Sequence, residues 1–172
     1  MENAIISLIC VVLIVVGGMT LSQGFLTSAD SSSMALEEQG NRDKDILRTE
    51  LSPQSASVDG AGTTVNLTLE NTGQTKLADF TKWDLIVQYF DSGGQYVTTW
   101  LPFTSGSLSD NEWKVNGIDL NGVPETYDQS ILNPGETVEI LAQLDPPVGD
   151  NTTNMIVAST PNGIPVSIYF VK

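Results

Sequence analysis

From Asn3 to Ala29 the chain carries no charged residue, and Ala4 to Val16 (AIISLICVVLIVV) is apolar at every position except Ser7. A helix of this composition has no face suited to water, so it must be buried all round, in lipid or among other copies of itself. A charge-free helix of about 27 residues is roughly 40 Å long, enough to cross a ~30 Å hydrocarbon core with some tilt. The β-branched runs Val11-Val12 and Ile14-Val15-Val16 suit a buried strand, but the length and the lack of internal proline predict a helix. Gly17-Gly18 weakens that helix by about 1 kcal/mol per residue and marks either a bend or a close approach by a neighbouring rod. After the small polar stretch Ser28–Ser33, Met34-Ala35-Leu36 with Glu37 and Glu38 predicts a second, amphipathic helical stretch to about Lys44. Its weakest point is Gly40-Asn41. The N-terminal helix then reaches ~40 residues, longer than the ~20 a simple membrane anchor needs. We draw the boundary so that residues 1–45 are the rod and residues 46–172 an outer domain.

The rod's flanks decide whether it is a removable signal. A secretory signal requires a basic segment before its apolar core, whereas the charged side chain here is Glu2. Thr27-Ser28-Ala29, the small-residue triplet closest to a cleavage site, lies far beyond the core. Removal of a short basic leader directly before the apolar segment explains the missing basic region and leaves the rod at the N-terminus. Whether Met1 is the mature or the translational start is open on this reading.

Beyond Ile46 the pattern changes to period two, with short apolar runs between turn signals. Strands are predicted at Thr63–Leu69, Trp83–Phe90, Tyr96–Phe103, Glu136–Leu144, Met155–Ser159 and Ile164–Val171, with a further strand within Ile46–Val58. Asn133-Pro134-Gly135 and Thr160-Pro161-Asn162-Gly163 are the clearest turns. Seven or eight short strands on about 120 residues read as one antiparallel β-sandwich with its own core. The fold class is therefore α+β: a long hydrophobic helix followed by an antiparallel sandwich. Trp83, Trp100 and Trp113 are expected to pack in the core or at its rim.

Charge narrows the partners. Twenty-one acidic and seven basic residues give a net charge of −14, which disfavours nucleic acid and anionic lipid surfaces. Arg42, Lys44 and Arg48 alternate with Asp43, Asp45 and Glu50, so they form no phosphate-binding patch. There is no histidine, and the single cysteine, Cys10, sits in the rod; intradomain disulfides, zinc sites and Ser–His or Cys–His catalysis are excluded by inventory. Asp110, Glu112 and Asp119, with Asn116 and Asn121, offer oxygen ligands for a cation. Their spacing matches no defined calcium loop, so solvated loop carboxylates are the expectation. No carboxylate pair stands out as a catalytic centre, and no metal or cofactor is expected. Two sequons, Asn66-Leu67-Thr68 and Asn151-Thr152-Thr153, are candidate N-glycosylation sites. Asn151 lies in a turn-rich segment; Asn66 falls in mid-strand and needs an outward face.

The rod MENAIISLICVVLIVVGG, its polar continuation and the sandwich resemble archaeal flagellins (archaellins) and related type IV pilin-like filament proteins. The segments Leu67–Tyr89 (LTLENTGQTKLADFTKWDLIVQY), Leu132–Ile140 (LNPGETVEI) and Ser159–Phe170 (STPNGIPVSIYF) carry the likeness within the sandwich, so it covers most of the chain. The resemblance implies an immunoglobulin-like outer domain and a helical homopolymer with the rods bundled in its core. It also implies a prepilin-type peptidase acting on the precursor, membrane insertion before assembly, and extraction by an assembly platform and its ATPase. The residues then expected to pack in the core are Ile5, Ile6, Leu8, Ile9, Val12, Leu13, Val16 and Leu21. Pilins usually carry glutamate at the fifth mature position, where this chain has Ile5. The rival reading is a membrane-anchored accessory archaellum protein that binds the cell envelope through its sandwich.

Overall fold

The computed structural model describes residues 2–172; Met1, and with it the question of the mature start, lies outside the described residues. Contacts divide the chain into two units, Met1–Asp43 and Lys44–Lys172.

Helix α1 runs unbroken over Glu2–Arg48. It is longer than the expected ~40 residues, and neither Gly17-Gly18 nor Gly40-Asn41 interrupts it. The polar residues that weaken a helix here turn their hydroxyls back onto it. Ser7 donates to the Asn3 carbonyl at 3.1 Å, Thr20 to Val16 at 3.1 Å, Thr27 to Gln23 at 2.9 Å and Ser32 to Ser28 at 2.9 Å. Each hydroxyl is thereby paired without water, as a helix in an apolar setting requires. The helix ends where Thr49 Oγ1 donates to the Asp45 carbonyl at 2.7 Å, and the chain leaves as strand three residues after Arg48 rather than from Ile46.

The second unit is a sandwich of nine strands: β1 Leu51–Val58, β2 Thr64–Asn71, β3 Asp84–Phe90, β4 Tyr96–Leu101, β5 Trp113–Leu120, β6 Val123–Pro124, β7 Thr137–Gln143, β8 Thr153–Ser159 and β9 Pro165–Val171. One sheet has the order β1-β2-β7-β5-β6, the other β4-β3-β8-β9, and neighbouring strands are antiparallel throughout. The alternation read from the sequence turns one set of side chains inward. Val65, Leu67 and Leu69 of β2 and Val138, Ile140 and Ala142 of β7 meet Leu85, Val87 and Tyr89 of β3 and Ile156 and Ala158 of β8 in one core. Pro53 is tolerated because β1 is an edge strand, with a register shift between Pro53 and Ser55.

Two expectations need correction. Asp110 and Glu112 do lie in a turn and loop, but Asn116 and Asp119 do not: from Trp113 the chain is strand β5, paired with β7. A register shift between Val115 and Gly117 breaks the period-two pattern, which hides the strand from a reading by alternation. The predicted strand at Met155 begins two residues earlier, at Thr153.

The three tryptophans divide. Trp83 and Trp113 are buried, and the indole N–H of Trp83 donates to the Ala78 carbonyl at 3.2 Å. Trp113 packs edge-on against Phe103, with ring centroids 4.9 Å apart. Trp100 is 55% exposed and donates its indole N–H to Asp84 Oδ1 at 2.9 Å on the sheet's outer face.

Candidate assembly surfaces and modification sites

Ile5, Ile6, Leu8, Ile9, Val12, Leu13, Val16 and Leu21 are each more than half exposed on α1. The helix is long and apolar enough to cross a membrane, and its apolar stretch is unburied. Fully burying one such aliphatic side chain is worth about 1.5–3 kcal/mol. The exposed rod therefore drives association with lipid or with other rods far more strongly than any polar contact in the chain. Cys10 is exposed on the same helix.

The two sequons end up in different settings. Asn151 is exposed in a turn, with φ of 56°. Only its backbone is engaged, its N–H donating to the Lys172 carbonyl at 2.8 Å. Asn66 does point to the outer face of its sheet, but it is half-buried there. Its side-chain amide donates to Glu139, whose second carboxylate oxygen accepts from Asn116 Nδ2 at 2.6 Å.

The acidic and amide residues considered as cation ligands lie along β5 and its flanking turns. Glu112 accepts from the Ser109 N–H at 3.2 Å, Asp119 from the Gly122 N–H at 3.0 Å, and Asn116 faces Glu139. Among the described residues no group of three or more His, Cys, Asp or Glu is placed to hold a metal ion.

Carboxylates instead tie down turns. Burial of Asp59 acts to raise its pKa, but this is outweighed by hydrogen bonds from the Thr64 and Thr63 N–H groups, the Thr63 hydroxyl and the Gly62 N–H. The carboxyl is held below the ordinary value. Glu125 is likewise lowered, chiefly by the Tyr127 N–H, which donates to it at 2.6 Å. Tyr89 is pushed up by burial and by the nearby Asp91 and Asp145, and its hydroxyl donates to the Pro146 carbonyl at 2.9 Å. A surface groove of about 450 Å³ runs beside Phe80, Phe103 and Ile118, with Lys114 and Glu125 at its margin. The functional signal that remains is a surface: an apolar rod on one unit and an acidic, closely paired sandwich on the other.

Solved structures match the chain in whole or in part. The archaeal flagellum of Methanospirillum hungatei matches over 96% of this chain and 90% of its own, with a TM-score of 0.63 and 11% identity, a likeness of fold. The archaellum periplasmic stator protein FlaG of Sulfolobus acidocaldarius matches over 71% of this chain and 99% of its own, with a TM-score of 0.52 and 26% identity. The stator complex of FlaF and FlaG from the same organism matches with the same score and identity, over 89% of that chain. No curated protein matches the sequence. The family model for archaeal-type flagellin matches residues 3–170, nearly the whole length, so the chain belongs to the archaeal-type flagellin family.

Proposed function

We propose that this flagellin is a structural subunit of an extracellular archaellum-type filament, self-assembled through α1 and acting in motility, adhesion or both. The observation that carries this reading is the pairing of family membership with a 47-residue helix whose apolar half is unburied. In the membrane the rod's apolar surface is satisfied by lipid. In the filament it is satisfied by other rods, with Ile5, Ile6, Leu8, Ile9, Val12, Leu13, Val16 and Leu21 as the packing residues. Moving it from one to the other gains little apolar burial, so an assembly platform with its ATPase drives extraction, and a prepilin-type peptidase processes the precursor. The protein performs no catalysis; its role is mechanical. Asn151 is the N-glycosylation site on the finished surface.

A second reading, an envelope-bound stator component, is favoured by the 26% identity to FlaG. Shearing cells separates the two. A filament subunit appears as the major band of the sheared fraction, in thin filaments visible by negative stain. A stator component stays with the membranes as a minor, detergent-soluble species.

A further inference from the structure

The sandwich hides its apolar side chains well, with two exceptions. Beyond the end of α1, its large hydrophobic residues that stay exposed fall into two groups. The first lies on the outer face of the β4-β3-β8-β9 sheet: Trp100 (55% exposed), Tyr96, Phe90, Tyr169 (68%) and Val171. Register aligns them with the half-buried Ile86, Met155 and Val157, since Ile86 sits between Trp100 and Val157, and Met155 faces Tyr169. The charged residue on this face is Asp84, which already accepts from Trp100. The outer face of the other sheet is the opposite in character, carrying Glu70, Glu139 and Lys114 with hydrogen-bonded Gln54 and Gln143. A solvated antiparallel face is normally polar, so the apolar one stands out as an interaction surface.

The second group is the β5–β6 hairpin and the residues after it: Leu120, Val123 (67% exposed) and Tyr127 (97%). Asn121 and Gly122 form its turn at φ of 54° and 79°, a conformation suited to a rigid two-residue hairpin. Asp119, Glu125 and Asp128 surround it.

We infer that in the polymer the apolar outer face of the β4-β3-β8-β9 sheet of one subunit receives the β5–β6 hairpin of the next. This rests on the filament reading above and adds the contact that sets neighbouring sandwiches in register. Charge selects the pairing. Two hairpins meeting would bring their carboxylates together, whereas the sheet face carries one carboxylate, Asp84, at its Trp100 end. A head-to-tail polymer also needs two different complementary patches on each copy, which these are. Four strands about 4.8 Å apart and some six residues long give a face of about 400 Å². That is half of the ~800 Å² per partner in a stable pair. The contact is too small to hold free subunits together, and it suits neighbours already concentrated by their rods.

The test uses the full chain, assembled in cells, with Cys10 changed to serine. Tyr169→Cys and Val123→Cys are introduced singly and together, both at exposed positions, and filaments are treated with a short bifunctional maleimide. The double variant is expected to give a ladder of covalent oligomers on a denaturing gel, and each single variant only monomer. Intact filaments of the double variant without a ladder would overturn the pairing. So would dimers from Tyr169→Cys alone, which mean that the sheet faces meet each other, or cross-links only to a different protein. Absence of filaments from the chain carrying only Cys10→Ser, and from the unsubstituted chain, would sink the filament reading itself.

Discussion

Asn66 and Glu139 meet diagonally across the β2–β7 pairing, Glu139 lying opposite Thr68, and the asparagine amide donates to the carboxylate while the asparagine side-chain carbonyl oxygen is buried without a partner. The sequon nitrogen that glycosylation must modify is thus held inside a sheet-surface network of Asn66, Glu139 and Asn116.

Glycan occupancy follows from this contrast. Peptides from cell-derived protein are expected to carry glycan at Asn151 and none at Asn66, read by mass spectrometry. Glu139→Ala frees the Asn66 amide, so low occupancy at Asn66 in that variant is the accompanying expectation.

Asn71 is fully buried and closes the turn region around it. Its Nδ2 donates to the carbonyls of Thr75 at 2.9 Å and Leu132 at 3.0 Å, and its Oδ1 accepts from the Gly73 N–H at 3.1 Å. Asn71→Ala leaves these backbone groups unpaired and is expected to destabilise the sandwich by about 1–3 kcal/mol. Asn71→Asp should cost more, because it buries a carboxylate oxygen against the two carbonyl oxygens that now accept from the amide. Thermal melting of the detergent-held full chain checks both.

Gly73 touches the junction between α1 and β1. A Cβ there would lie 2.5 Å from the Arg48 carbonyl oxygen and 2.5 Å from the Glu50 nitrogen. The same stretch is clasped by hydrogen bonds from Gly73 N–H to Glu50 at 3.1 Å and from Gln74 N–H to Arg48 at 2.7 Å. Gly73→Ala must push these strands of chain apart, at a cost of about 1–3 kcal/mol. It is expected to increase proteolysis between Arg48 and Leu51, read by limited digestion.

Asp59 predicts a pH dependence with a definite sign. Its folded pKa lies below the ordinary 3.8, so the ionised form stabilises the fold above that value and the benefit disappears as pH falls through the folded pKa. Asp59→Asn should therefore lower the melting temperature at neutral pH and lose its difference from the parent chain in strong acid. A constant difference across that range contradicts the assignment.

Much of this was legible in the sequence because the signals were local and strong. The rod showed in its unbroken apolarity, β2 in clean alternation, and β3, β7 and β9 as short apolar runs between turn residues such as Asn133-Pro134-Gly135. What escaped depended on partners far along the chain. Strand β5 is interrupted by its register shift and by Asn116 and Gly117, and it is held in place by β7. The continuity of α1 through Gly17-Gly18 and Gly40 exceeded local propensity, and the helix's extension to Arg48 displaced the start of β1. The apolar positions of the rod are legible in the sequence itself, but the apolar outer sheet face needed the register to bring Trp100, Ile86 and Val157 into one row. That Asn66 is engaged also required Glu139, 73 residues away.

The central claim is that α1 is buried among other copies of α1, and the chain's single cysteine reports on it directly. Sheared filaments are treated with a water-soluble maleimide before and after dissociation in denaturing detergent. The filament account predicts this chain as the major protein, with Cys10 unlabelled in intact filaments and fully labelled once they dissociate. Ready labelling of Cys10 in intact filaments, or recovery of the chain only from the membrane fraction, would contradict it.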